Sequence, residues 1–141
     1  MTAPHSSQAT LSLEGQQVLL AEDCVDQGRL YLTFLQSAGA EVTLECCGQS
    51  AVDTVRKAPT RFDAVVMDFQ MPEMDGVDAT RQLRDLGYTG TIFAVTAFGS
   101  EELKQSWFQA GCDDYLEKPL NKQNFIAAVV RHTTAKETCE T

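Results

Sequence analysis

Three acidic residues, a threonine and a lysine stand directly after short apolar runs in this chain. Glu22 and Asp23 follow Gln17–Ala21. Asp68 follows Phe62–Met67, Thr96 follows Thr91–Val95, and Lys118 lies just past Asp114–Leu116. Carboxylates brought together repel and raise one another's pKa unless a cation sits among them. Oxygen donors of this kind suit Mg2+, with Mn2+ as the alternative ion; Mg2+ keeps several waters and leaves coordination for a phosphate. Lys118 would add a second positive charge, and Thr96 a hydroxyl donor to a phosphoryl oxygen. The chemistry these types and spacings point to is cation-assisted handling of a phosphate group.

For that chemistry the five positions must meet, and the elements around them predict that they do. The four runs above and Val42–Leu44 are short and lack strict alternation, as expected of strands buried on both faces of a parallel sheet. Between them lie helical patterns. Tyr31, Phe34, Leu35 and Ala38 recur at helical spacing before Gly39. Ala79, Leu83 and Leu86 do so before Gly87, and Leu103, Trp107 and Ala110 before Gly111. Gln49 to Lys57 is a weaker helix stopped by Pro59, and Phe125, Ala128 and Val129 mark a last one. Asp75, Ser100 and Asn121 are the expected N-caps. Five β-α units in a row predict an α/β fold, a doubly wound five-stranded parallel sheet flanked by five helices. In such sheets the site lies at the carboxyl ends of the strands.

Composition narrows the classes. The chain has 141 residues, 43% apolar and 22% charged, with a formal net charge of -9. Its length suits one domain, expected over residues 16–134, with a linker-like tail over 1–15 and a short C-terminal tail over 135–141. The acidic balance argues against a nucleic-acid surface. Five cysteines without zinc spacing read as reduced thiols of a cytoplasmic protein, with Cys46 and Cys47 expected to be small buried groups. No apolar run is long enough to span a bilayer, so no direct membrane contact is expected.

From about Gln17 to Thr133 the chain resembles the receiver domains of response regulators, most of all those within hybrid sensor histidine kinases. The residues that carry this are Val18-Leu19-Leu20-Ala21-Glu22-Asp23, Met67-Asp68-Phe69-Gln70-Met71-Pro72-Glu73-Met74-Asp75-Gly76, Ala79-Thr80-Arg81, Val95-Thr96-Ala97 and Ala110-Gly111-Cys112-Asp113-Asp114-Tyr115-Leu116-Glu117-Lys118-Pro119. The resemblance implies the flavodoxin-like receiver fold and a two-component signalling role. It implies Asp68 as acceptor of a phosphoryl group from a phosphohistidine on a sensor kinase or histidine phosphotransfer domain. Asp23 and Asp68 would bind Mg2+ through side chains, Glu22 through a water, and Gln70 through its backbone carbonyl. Thr96 and Lys118 would contact the phosphoryl group, and Thr96 and Tyr115 would form the conformational switch. The face made by the fourth helix, fifth strand and fifth helix could pair two copies on phosphorylation, with a monomer as the default.

Two positions depart from the family pattern. Cys24 stands where many hybrid-kinase receivers have Asn, and Phe98 stands two residues past Thr96, beside the path of the hydrolytic water. An apolar side chain there is expected to slow hydrolysis; a Phe98→Ala variant should lose its phosphoryl group faster, and an unchanged or longer lifetime would refute this. Rival functions fit less well. A phosphatase of the haloacid dehalogenase type needs a second acid two residues after its nucleophile, where Gln70 stands. A flavodoxin-like carrier needs a phosphate loop where Glu22-Asp23-Cys24 would repel one. A degenerate receiver that only binds partners would lack part of the Glu22, Asp23, Asp68, Thr96, Lys118 set. The few residues after Thr133 leave no room for an output domain, so the chain reads as a stand-alone regulator or as a portion of a longer hybrid kinase, with the second favoured.

Overall fold

The five apolar runs form one parallel sheet in the computed structural model, which describes residues 11–97 and 99–140, with side chains as far as Thr133. In chain order the elements are β1 (Gln17–Ala21), α1 (Val25–Ser37), β2 (Glu41–Glu45), α2 (Gly48–Lys57), β3 (Ala64–Asp68), α3 (Gly76–Asp85), β4 (Thr91–Thr96), α4 (Glu101–Ala110), β5 (Asp114–Glu117) and α5 (Lys122–Glu140). The strand order is β2-β1-β3-β4-β5. β3 and β4 are buried along their whole length and β1 along all but its first residue, while the edge strands β2 and β5 are only half covered. That is why the three central strands read as unbroken apolar runs.

Successive strand residues point to opposite faces, and two cores result. Leu19, Val65, Met67, Ile92 and Ala94 pack with residues of α2, α3 and α4. Val18, Leu20, Val66, Phe93 and Val95 pack with Tyr31 and Leu35 of α1 and Phe125 and Val129 of α5. The expected doubly wound α/β architecture is therefore present, with helices on both faces.

The helix ends follow the sequence signals. Asp75, Ser100 and Asn121 each accept a bond from the backbone N–H three residues on, at 2.9, 3.0 and 3.0 Å. Gly39, Gly87 and Gly111 close α1, α3 and α4 with positive φ. Arg84, near the end of α3, ties the adjoining loops together. Its guanidinium donates to the carbonyls of Gly111 (2.9 Å), Tyr88 (2.8 Å) and Gly90 (2.8 Å), and to the Asp113 carboxylate (2.9 Å). That carboxylate also accepts from Ile92 N–H, so the starts of β4 and β5 are held together, upstream of Thr96 and Lys118.

Three details differ from the sequence reading. Leu13 lies within the stretch read as a tail, yet it is fully buried and its N–H bonds to the Ala38 carbonyl at 2.7 Å. The fold thus begins at least three residues earlier than expected; residues 1–10 lie outside the described residues. The last helix continues to Glu140, through most of the stretch read as a C-terminal tail. Cys46 is exposed and Cys47 only half-buried, because the β2–α2 connection runs over the surface; Cys24 is exposed and Cys112 buried, all four as free thiols.

Gly76 shows why a glycine follows the N-cap of α3. A Cβ at this position would collide with the Asp68 backbone carbonyl and the Trp107 ring. Trp107 is itself fully buried and packs edge-on against Phe69, ring centroids 6.1 Å apart. Neither neighbour is a flexible side-chain tip, so Gly76→Ala is expected to cost about 1–3 kcal/mol through overpacking. Urea unfolding measures this, and an unchanged midpoint would contradict the packing described.

Candidate functional site

Strand register brings the acidic residues together. Ala21 pairs with Met67, which sets Glu22 beside Asp68. Asp68 pairs with Val95, and Thr96 with Glu117. Two backbone bonds extend the pattern past the strand ends: Phe69 N–H to the Val95 carbonyl (2.9 Å) and Lys118 N–H to the Thr96 carbonyl (2.8 Å). Glu22, Asp68, Thr96 and Lys118 therefore all leave the same edge of the sheet, and Asp23 follows Glu22 into the first loop.

At that edge a carboxylate oxygen from each of Glu22, Asp23 and Asp68 lies within 4.8 Å of the others. Asp23 is exposed, whereas Glu22 and Asp68 keep only 4% and 3% of their surface in contact with solvent. Lys118 joins the two buried groups, its Nζ 3.0 Å from Glu22 Oε1 and 2.8 Å from Asp68 Oδ1. A third bond from Nζ goes to Gln27 Oε1 at 2.6 Å. Glu22 also accepts from Cys24 N–H at 3.2 Å.

One ammonium does not balance these carboxylates. Burial pushes Asp68 up to about 6, the Lys118 hydrogen bond opposes the rise, and the charges of Glu22 and Asp23 add to it. For Lys118, burial lowers the pKa, but the hydrogen bonds it donates to Asp68 and Glu22 outweigh it and the ammonium is held above its usual range. The site is thus short of positive charge, and its donors are hard oxygens. Both features suit a divalent cation of the Mg2+ type.

The other expected site residues fall around this centre. Gln70 borders an open cleft with Asp23, Phe69, Met71, Pro72 and Asp75. Glu73, in the same loop, takes a left-handed backbone with φ of 70°, an uncommon conformation for a residue with a side chain. Thr96 is buried and lies on the sheet face that carries α2, α3 and α4. Tyr115 packs against that same face. Its hydroxyl is buried without a hydrogen-bond partner among the described residues, and the Lys104 ammonium stands 5.5 Å from its ring centroid. Phe98 lies outside the described residues. Gln27 was not singled out from sequence; its one signal is that it stands four residues after Asp23, in the first turn of α1.

Among the described residues, no helix is long and apolar enough to cross a membrane. Residues 18–130 match the family model of the response regulator receiver domain. A two-component response regulator, ORR41, of Oryza sativa subsp. japonica is 38% identical over 109 residues, covering 76% of this chain and 86% of that protein. The sensor histidine kinase GacS of Pseudomonas protegens is 34% identical over 129 residues, 88% of this chain and 14% of the kinase. The chain likewise spans 13% of the probable histidine kinase 2 of Oryza sativa subsp. indica that it matches. Among solved structures, the receiver domain of sensor histidine kinase PA1611 from Pseudomonas aeruginosa PAO1, with a magnesium ion coordinated in its active-site cleft, aligns with a TM-score of 0.78. It is 33% identical and covers 85% of this chain and 98% of that one. The family model covers most of the chain, and its fold and acidic strand-edge cluster agree with that match: this chain belongs to the response regulator receiver domain family of two-component systems.

Proposed function

We propose that Asp68 is the phosphoacceptor of this receiver, taking a phosphoryl group from a phosphohistidine on a sensor histidine kinase or a histidine phosphotransfer domain. The observation that carries the reading is the Lys118 ion pair to Asp68 and Glu22, buried at the edge where the strand ends converge. A free Asp68 carboxylate oxygen attacks phosphorus in line with the nitrogen of the donor imidazole. The O–P bond forms as the N–P bond breaks, and the imidazole leaves with the electron pair. Negative charge spreads over the three equatorial oxygens, so catalysis is mostly positioning and charge stabilisation.

Asp23 and Asp68 would hold Mg2+ through their carboxylates, Gln70 through its backbone carbonyl and Glu22 through a water. The ion's contribution when bound is to offset the charge of the carboxylates and the phosphoryl oxygens. Lys118 would leave its carboxylate partners to meet one phosphoryl oxygen, and the Thr96 hydroxyl would donate to another. Thr96 and Tyr115 lie toward the same face of the sheet, and the buried Tyr115 hydroxyl has no hydrogen-bond partner among the described residues. Both features, the second as seen among the described residues, support a switch in which Thr96 moves toward the phosphoryl group, Tyr115 repacks, and the α4–β5–α5 face shifts population between two packings.

The parent protein is, in this reading, a hybrid sensor kinase whose receiver faces the cytoplasm. A single-domain response regulator is the second reading, favoured by the relative of which this chain covers 86%. In either case the domain works as a monomer or a phosphorylation-linked dimer. The test is the chemical nature of the label after incubation with a small phosphoramidate and Mg2+. An acyl phosphate, removed by hydroxylamine, is expected; a hydroxylamine-stable label would point to a hydroxyl acceptor and contradict the assignment.

A further inference from the structure

Lys118 is not held by charge alone. Its shortest contact is to the neutral side-chain carbonyl of Gln27, 2.6 Å from Nζ, against 2.8 and 3.0 Å to the two carboxylates. Gln27 belongs to the first turn of α1, ninety-one positions from Lys118 in sequence. It is half-buried, whereas Glu22 and Asp68 are almost fully buried. A neutral carbonyl does nothing to offset the buried negative charge. What it adds is direction, because it takes one of the three N–H bonds that the carboxylates would otherwise share. An ammonium without that partner is held by Glu22 and Asp68 alone, and its freed N–H turns to the carboxylate oxygens that a divalent cation needs.

Resting on the phosphoacceptor reading above, we propose that Gln27 is a positioning residue that fixes the direction of the Lys118 ammonium by keeping one of its N–H bonds off the acidic cluster. Nζ then engages one oxygen of each buried carboxylate, which leaves Asp23 and the second oxygen of Asp68 to the divalent cation and the phosphoryl group, with the ammonium within reach of both. Cation and lysine both serve the same carboxylates, and the amide of Gln27 keeps one from displacing the other.

The test compares Gln27→Met, which keeps stem length and helix propensity but removes the acceptor, with Gln27→Glu, which keeps an acceptor on the same stem. Mg2+ affinity is measured by calorimetry, phosphoryl uptake from a small phosphoramidate at saturating Mg2+, and thermal stability alongside. Loss of one hydrogen bond to a charged group predicts about tenfold weaker Mg2+ binding and about tenfold slower uptake in Gln27→Met. Its melting temperature should fall by no more than a few degrees, and Gln27→Glu should recover most of both losses. Wild-type behaviour of Gln27→Met would overturn the proposal, and so would equal failure of both variants, which would point to the amide N–H2 or to packing. Wild-type protein that binds Mg2+ but never takes up a phosphoryl group would overturn the phosphoacceptor reading instead. In that case the Mg2+ titration of Gln27→Met still decides whether Gln27 sets the place of Lys118.

Discussion

Lys118→Met is expected to destabilise the metal-free protein at neutral pH by about 3 kcal/mol and to slow phosphoryl uptake by about 100-fold or more. The stability loss follows from what the lysine leaves behind. Glu22 and Asp68 are almost fully buried, and Lys118 is the cation that pairs with both. Removing one partner of a buried ion pair costs about 3–5 kcal/mol because the remaining charge is uncompensated. The lower end applies here, since Asp68 is already raised to about 6 and can relieve the site by taking up a proton. The kinetic loss reflects one missing charge at the phosphoryl oxygens, a contribution of about 100-fold to 1000-fold for comparable donors. Urea unfolding with and without Mg2+ separates the two effects: Mg2+ should restore part of the stability and little of the rate. An equally stable and equally active variant would show that Lys118 is a bystander.

Asp68→Asn is expected to do the opposite to stability while abolishing uptake. Asp68 has its pKa raised from 3.8 to about 6 in the folded chain, first by burial and then by Glu22 and Asp23. A raised carboxyl pKa means that the native state binds the proton more tightly than the unfolded state does. The stability linked to that proton is fully present below the unfolded pKa and is lost as pH rises through about 6. A shift of this size corresponds to about 3 kcal/mol at pH 7.5. Replacing the carboxylate with a neutral amide should therefore stabilise the metal-free protein by about 1–3 kcal/mol at that pH. The gain should shrink toward zero near pH 4. Saturating Mg2+ should narrow or reverse it, because only the wild type gains the full binding free energy. Unfolding curves from pH 4 to 8, with Mg2+ and with a chelator, measure all of this. A metal-free Asp68→Asn protein less stable than the wild type at pH 7.5 would contradict the electrostatic account of the site.

How much of this was legible in sequence depended on the kind of interaction. β1, β3 and β4 announced themselves because strands covered on both faces have few polar positions to interrupt them. The polar residues that end those strands then fell at one edge without further assumption. β2 was harder: Glu41 and Glu45 flank its apolar residues, because an edge strand is half open to solvent. Leu13 was missed since Leu11-Ser12-Leu13, closed at once by Glu14-Gly15, is too short a pattern to mark an element, and only the docked Ala38 carbonyl reveals its place. Cys46 and Cys47 looked like core residues by type, yet they sit on a surface connection. Gln27 was illegible for a different reason. Its importance lies in a side-chain contact between the first helix and the loop after the last strand, and no local pattern records a bond of that span.

The central claim is that Asp68 accepts the phosphoryl group with the help of a divalent cation. Intact mass after incubation with a small phosphoramidate tests it most directly, with Mg2+ or a chelator present and Asp68→Asn beside the wild type. The account predicts a mass gain of one phosphoryl group in the wild type with Mg2+, no gain with the chelator, and none in the variant. An unmodified wild type under every condition, or an Asp68→Asn protein that gains the same mass, would contradict it.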